Sequence, residues 1–305
     1  MRFVDPKSNI AFKKIFGNEN RTEILISFLN AVLVLEGENA IKEVTILDPY
    51  QAPKIKDLKE TILDVRAKDG RGVTFIVEMQ VEKEDWFPKR ALYYTSKAYV
   101  SQIEKTVDYP KLNQVFFIGI LNFKIFETED YLSRHLILDS KSYKQEIKDF
   151  EFNFIELKKF KKELNELETV IDKWIYFFKN AEDLKVVPAQ LSDVKEIAEA
   201  FEIAGQHNWT QEELDIYEYW EMQEAIHKNV LESGIREAEM KGMEVGMEAG
   251  MKAGMKAGIE KGLKEGEIKG VKDTAKKLLS LGIDVETIIK ATGLDEKTIN
   301  DIVYK

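Results

Sequence analysis

Gln114–Phe123, reading QVFFIGILNF, limits the fold more than any other segment of the chain. A nearly continuous apolar run of this kind reads as a strand buried on both faces, which requires layers packed above and below the sheet that contains it. Upstream, ETILDVRAKDGRGVTFIVEMQV (residues 60–81) holds two further strands, Thr61–Ala67 and Val73–Val81. Lys68-Asp69-Gly70-Arg71-Gly72 between them is a hairpin turn signal. Val44–Leu47, stopped by Asp48-Pro49, is a short strand, and Leu136–Leu138 and Phe150–Ile155 read as two more.

Helices supply the covering layers. Residues 5–35 have apolar positions at helical spacing: Phe12, Ile15 and Phe16, then Ile24, Leu25, Phe28, Leu29 and Val32. Asp5-Pro6 has the residue types of an N-cap and first helical position, and Gly17 stops the first run. Trp86 to about Lys105 returns to helix, with Tyr93, Tyr94, Ala98 and Val100 among its bulky or apolar positions. From Leu157 to Gly234 the pattern is helical, with Trp174, Phe177, Phe178, Ile197, Phe201, Tyr217 and Trp220 as expected core. The fold class is therefore α/β, a mixed sheet flanked by helices, followed by an α-rich region and a helical tail.

The composition excludes several functional classes. Net charge is −10, and the deficit sits in residues 141–233, which carry 12 basic and 21 acidic side chains. Residues 1–110 carry 17 of each sign and residues 234–305 carry 13 of each. A strongly basic nucleic-acid footprint is absent, so nucleic-acid contact has to come from local patches or bridging metal ions. With no cysteine, a disulfide or a Cys-ligated zinc or iron–sulfur site is impossible. Three scattered histidines, His135, His207 and His227, argue against a histidine metal site. No apolar run approaches the roughly 20 residues that span a bilayer, and MRFVDPKSNIAFKKIFG has no secretory h-region. A cytoplasmic protein without a membrane partner is expected.

The hairpin carries the chemistry. Side chains alternate faces along a strand, so Ile62, Asp64 and Arg66 share one face, as do Ile76, Glu78 and Gln80 on its partner. A three- or five-residue turn gives pairing sums of 140 or 142 and puts Asp64 opposite Ile76 or Glu78, on the same side as the second carboxylate. A two-residue turn would separate the acids onto opposite faces. Magnesium takes hard oxygen ligands, often one or two carboxylates with water and a substrate phosphate. Asp64 and Glu78 supply such carboxylates, and the Met79 carbonyl offers a third oxygen. Gln80 points at the same site and is placed to orient a water. Carboxylates rarely enter a core-like strand such as Thr74–Met79 unpaired, so an ion pair with Arg66 stands as the structural alternative to a metal.

A strand-borne Asp, a hairpin and then Glu-x-Lys is the signature of the PD-(D/E)XK nuclease superfamily. The version here, Asp64 with Glu78-Met79-Gln80, resembles the recombination-promoting nuclease / putative transposase family of that superfamily. Asp5-Pro6 through Phe12-Lys13 to Ile15-Phe16-Gly17 resembles that family's opening, as does Leu29-Asn30-Ala31. Arg90, Tyr93 and Tyr94 fall in the helix expected after the hairpin, and Ala291-Thr292-Gly293-Leu294 also looks familial. The resemblance implies a restriction-endonuclease-like fold and a metal-dependent DNA endonuclease linked to recombination or element mobility. Asp64 and Glu78 would be metal ligands, with Mg²⁺, or Mn²⁺ or Ca²⁺ in its place, and DNA as the partner. Gln80 would occupy the superfamily lysine's position. An amide cannot act as general acid or base, so water activation would fall to the metal or to another lysine. Lys13 is a candidate, and Asp5 a second accessory position; a solvated lysine and a helix cap are their structural readings. A catalytically weak, transposase-like accessory protein and an oligomerising scaffold are the competing functions.

Residues 242–270, GMEVGMEAGMKAGMKAGIEKGLKEGEIKG, place a glycine at every fourth position, eight in all. Each glycine costs a helix interior roughly 1 kcal/mol relative to alanine, about 8 kcal/mol together, so a lone helix should not persist here. A flexible linker and a self-association element that forms a homo-oligomer both fit. The tail reads as three short helices broken at Gly282 and Gly293, with Asp284 and Asp295 as N-caps. Its spacing resembles a helix-turn-helix, with a small helical cap as the other reading. The expected division is a nuclease-like domain over 1–156, an α-helical region over 157–234, the repeat over 235–272 and a small helical motif over 273–305.

Overall fold

A computed structural model describes residues 2–51, 61–103 and 109–303. They divide into two compact units, one ending at Gln223 and the other beginning at Glu224.

The first unit is built on a mixed six-stranded sheet. Its strands are β1 (Val44–Ile46), β4 (Val65–Asp69), β5 (Thr74–Gln80), β6 (Val115–Leu121), β7 (Leu132–Leu136) and β8 (Phe150–Glu156). The order is β1-β4-β5-β6-β8-β7. β5, β6 and β8 run parallel, while β1, β4 and β7 pair antiparallel with their neighbours. A separate two-stranded pairing joins β2 (Tyr50–Gln51) to β3 (Thr61–Ile62).

The apolar strand behaves as its sequence requires. Val115, Phe117, Ile118, Ile120 and Leu121 of β6 are all fully buried, divided between the two faces. On one face Ile118 and Ile120 join Phe75 and Val77 of β5 and the helices α1 (Asn9–Phe16), α2 (Thr22–Leu33), α4 (Val170–Asn180) and α6 (Lys195–Ala204). On the other, Val115, Phe117 and Leu121 pack with Ile76 against Phe87, Ala91 and Ala98 of α3 (Phe87–Val100), which connects β5 to β6. The short α5 (Ala189–Ser192) leads into α6. Helices that follow β8 thus share a core with helices that precede β1.

Gly119 sets how closely α3 approaches the sheet. A Cβ at this position would lie 3.0 Å from Phe154, 3.1 Å from Phe87 and 3.2 Å from Phe117. Gly119 pairs with Glu78 across the β5–β6 ladder, so the start of α3 is drawn in beside that carboxylate.

Several local expectations are corrected. Asp5-Pro6 does not cap the first helix: α1 begins at Asn9, and the Ser8 hydroxyl accepts the Ala11 N–H at 3.4 Å. The strand expected over Thr61–Ala67 is broken between β3 and β4, at Leu63 and Asp64. Leu63 is held by a hydrogen bond from its N–H to the Pro49 carbonyl, which draws the chain towards β2. The strand expected at Leu136–Leu138 lies at Leu132–Leu136 instead. α3 spans Phe87–Val100, and the expected continuation to Lys105 reaches residues outside those described. Trp174, Phe177, Phe178, Ile197, Phe201 and Tyr217 are core as expected, whereas Trp220 is 56% exposed.

The repeat is helical, within α7 (Gln211–Ser280). Apart from the adjoining helix backbone and chain neighbours, no described atom lies within 4 Å of a Cβ built on any of its eight glycines. Met243, Met247, Met251, Met255, Ile259 and Leu263 are all exposed. No described part of the chain buries this stretch, so the glycine penalty is uncompensated within the chain. In the tail, α8 (Val285–Thr292) and α9 (Glu296–Val303) pack Ile288 and Ile299 on Ala275 of α7. Asp284 and Asp295 cap their helices through the Thr287 and Thr298 N–H groups, at 2.9 and 2.6 Å. No described helix is long and apolar enough to cross a membrane.

Candidate functional site

The site follows from the hairpin register. Val65 pairs with Val77, Arg66 with Ile76 and Lys68 with Thr74, a constant sum of 142. Extended by one step, that register sets Asp64 opposite Glu78. Asp69 closes the turn: its carboxylate accepts the Arg71 and Val73 N–H groups at 3.0 and 2.9 Å, and Gly72 turns at φ +91°. A positive φ of this size is where glycine is needed.

Beyond Val65 the β4 backbone bends away, and the two acids bind each other's main chain. The Asp64 N–H donates to Glu78 Oε1 at 3.0 Å, and the Met79 N–H donates to Asp64 Oδ2 at 2.9 Å. The N–H and C=O of one strand residue leave the same edge, so the Met79 carbonyl also projects towards Asp64. The two carboxylates and the Met79 carbonyl therefore come together at the carboxyl end of a parallel strand, the usual position for ligand sites in sheets of this kind.

Electrostatics mark the pair as strained. Glu78 is 6% exposed. Burial, and next the charge of Asp64, push its carboxyl up to about 8. Burial also raises Asp64, against the lowering effects of the Met79 N–H, Lys13 and Arg90. Two cations flank the acids. Lys13 Nζ, from α1 on one side of the sheet, lies 3.7 Å from Asp64 Oδ1, and Asn9 Nδ2 donates to the same oxygen at 3.4 Å. Arg90, from α3 on the other side, donates from Nη2 to Gln80 Oε1 at 2.5 Å and from Nη1 to both Glu84 oxygens at 2.9 and 2.7 Å. Burial, then the charge of Glu78, raises the Tyr94 hydroxyl.

The structure thus gathers Asp64, Glu78, Met79, Gln80 and Lys13. Asp5 belongs to a different hydrogen-bonded group: it accepts from Lys7 Nζ at 2.7 Å, and its N–H donates to the Tyr217 hydroxyl at 2.9 Å. Arg66 does not neutralise the acids; burial lowers it, and the opposing charge it feels is that of Asp48. Gln80 is engaged at both ends, since its Nε2 also donates to the Glu82 carbonyl at 3.2 Å. Sequence reasoning assigned no role to Arg90. The available signal was Arg90 and Tyr94 one helical turn apart at the start of the helix that leaves the acid-bearing strand.

Residues 6–234 match the model of a family described as PD-(D/E)XK nuclease family transposase. The chain belongs to that family. The matched segment contains the hairpin, α1 and α3, so every residue of this site lies within it. Comparison with curated proteins and with solved structures returned no match. PD-(D/E)XK nucleases generally use divalent metal ions. The donors here suit one: two carboxylates whose mutual repulsion a hard cation would relieve, and a main-chain carbonyl beside them. Among the described residues no group of three or more His, Cys, Asp and Glu side chains forms a metal cluster. A metal at this transposase-family site would therefore take its remaining ligands from water and substrate.

Proposed function

We propose that this protein is a divalent-metal-dependent DNA endonuclease that hydrolyses phosphodiester bonds in the service of recombination or element mobility. The observation that carries the reading is the reciprocal lacing of Asp64 and Glu78 across the hairpin. It commits two carboxylates to one point despite the desolvation that raises both and the charge of Asp64 that raises Glu78 further.

Asp64, Glu78 and the Met79 carbonyl would hold Mg²⁺, or Mn²⁺ in its place. The ion would supply Lewis-acid polarisation of a phosphoryl oxygen and a more acidic, more nucleophilic water. The protein's own residues set the geometry. The Met79 N–H fixes the Asp64 carboxylate, the Asp64 N–H fixes that of Glu78, and Lys13 adds a compensating charge from α1. In the reaction the water oxygen bonds to phosphorus and the P–O bond to the departing sugar oxygen breaks. One water proton passes to solvent, and the departing oxygen takes one up. Gln80 cannot serve as the base, because a neutral amide neither accepts nor releases a proton near neutral pH.

Plasmid DNA incubated with the purified protein tests this. Nicking or linearisation is expected with Mg²⁺ or Mn²⁺, and its loss with chelator and in Asp64→Ala. Cleavage by Asp64→Ala at the wild-type rate would remove the site. Binding without cleavage by the wild type would favour the accessory-protein reading, in which Gln80 marks lost activity.

Residues 242–270 are proposed to join copies of the chain. An exposed helix with an apolar residue after successive glycines, and no burial of it by the described residues, supports this, since glycine admits close backbone approach. Deleting these residues should lower the mass per particle in light scattering beyond the deleted residues; an unchanged oligomeric state would leave the repeat as a linker.

A further inference from the structure

A phosphodiester brings a negative charge to a place already occupied by two carboxylates. Lys13 answers part of that charge from the α1 side. On the α3 side the group available is Arg90, and its surroundings are unusual for a structural ion pair. The guanidinium carbon lies 4.9 Å from the Phe87 ring centroid and 5.9 Å from that of Tyr94. Its Nη groups engage Gln80 and Glu84, while Nε is buried with no hydrogen-bond partner among the described residues. Glu84, its acidic partner, is 31% exposed, so the pair is reachable from solvent. A planar fork held between an aromatic face and the end of β5, with an unused inner donor, is suited to the oxygens of a phosphate.

The fold fixes this placement. Gly119 lets Phe87 settle against the sheet across from Glu78, and Phe87 together with Ala91 anchors the turn of α3 that carries Arg90. The strand itself ends on a neutral amide, Gln80.

We propose that Arg90 is a catalytic residue of this site: it grips the non-bridging oxygens of the scissile phosphate and supplies, from α3, the positive charge that Gln80 does not. This inference rests on the nuclease reading and adds the residue that binds the substrate's reacting group. Arg90 is a donor only and keeps its proton throughout; the bonds made and broken are those of the hydrolysis above. In the free protein Gln80 and Glu84 hold the guanidinium at the strand end. On substrate binding its donors turn from Glu84 to phosphate.

The test uses the full chain with a labelled DNA duplex, read in two ways. In single-turnover cleavage with Mn²⁺, Arg90→Gln should lose about 100-fold in rate, and Arg90→Lys should lose less. Guanidinium added to Arg90→Ala should restore cleavage, whereas urea at equal concentration should not. Gln80→Lys placed in the Arg90→Gln background should recover about tenfold, since it returns a cation to the strand end. In EDTA, where nothing is cut, fluorescence anisotropy should show weaker DNA binding by Arg90→Gln than by wild type. Wild-type cleavage rates in Arg90→Gln, failure of guanidinium to rescue Arg90→Ala, equal rescue by urea, or no recovery from Gln80→Lys would each overturn the proposal. If the wild type cuts no DNA the nuclease reading fails separately. The anisotropy comparison then decides whether Arg90 binds phosphate, and unchanged affinity would overturn that too.

Discussion

Replacing Glu78 with Gln should flatten the pH dependence of stability in the metal-free protein. Glu78 is buried, and it ionises beside Asp64. Burial first, and the Asp64 charge second, raise its carboxyl from an ordinary 4.5 to about 8. Between those two values the folded state keeps a proton that the unfolded chain has released. Stability therefore falls as pH rises, by about 1.4 kcal/mol per pH unit, or ~5 kcal/mol in all as an upper bound. The penalty is absent below 4.5, grows up to about 8 and is constant above it. The amide of Glu78→Gln would still accept the Asp64 N–H through its oxygen but has no charge to lose. Asp64, raised by burial in the same direction, is present in both proteins, so their difference reads the ionisation of Glu78 together with its repulsion by Asp64. Urea unfolding in EDTA, followed by fluorescence of the buried Trp174 and Trp209, measures this. The wild type should lose several kcal/mol relative to Glu78→Gln between about pH 5 and about pH 8. Stability curves that stay parallel would refute the reasoning, because they would mean that Glu78 ionises in the native protein without penalty.

Other perturbations test the scaffold. Lys159→Ala should cost about 3–5 kcal/mol in thermal or chemical unfolding, because it leaves the fully buried Glu156 carboxylate without its cation. Adding Glu156→Gln should recover part of that loss. Gly119→Ala should destabilise the first unit by about 1–3 kcal/mol, since a Cβ meets three aromatic rings. It should also slow cleavage by pushing α3 off the strand end, and a melting curve identical to wild type would contradict this. Alanine at Gly250, Gly254 and Gly258 should raise helicity in circular dichroism, by about 1 kcal/mol of helix stability per site, because each position has open space for a methyl group. No gain would mean that a partner already holds the segment helical.

Much of the site was legible because it rests on parity. Strand alternation and an even pairing sum are enough to bring Asp64 and Glu78 together, and the observed register supplies both. The two-faced burial of Val115–Leu121 likewise follows from its unbroken apolar sequence. What sequence alone did not reveal depends on neighbours distant in the chain. The bend at Asp64 comes with Leu63 bonding to Pro49 rather than continuing along β5. That bend turns the Asp64 N–H to Glu78, so an uninterrupted strand would have the acids adjacent but not laced. Arg90 acquires its place from Gly119, which permits close approach of α3 and lies in another strand. Asp5-Pro6 has the residue types of a cap, yet Asp5 bonds Lys7 and Tyr217, and Ser8 caps instead. Trp220 follows helical spacing from Tyr217 but faces water, since the core accepts Tyr217 and Trp209 and extends no further along α7.

The most direct measurement is equilibrium binding of Mn²⁺ by electron paramagnetic resonance, comparing wild type with Asp64→Ala and Glu78→Gln. The expected result is one site per chain in the wild type, with binding weakened at least tenfold in either variant because each removes one of two anionic ligands. Wild-type Mn²⁺ affinity in both variants would contradict a metal held between the hairpin carboxylates.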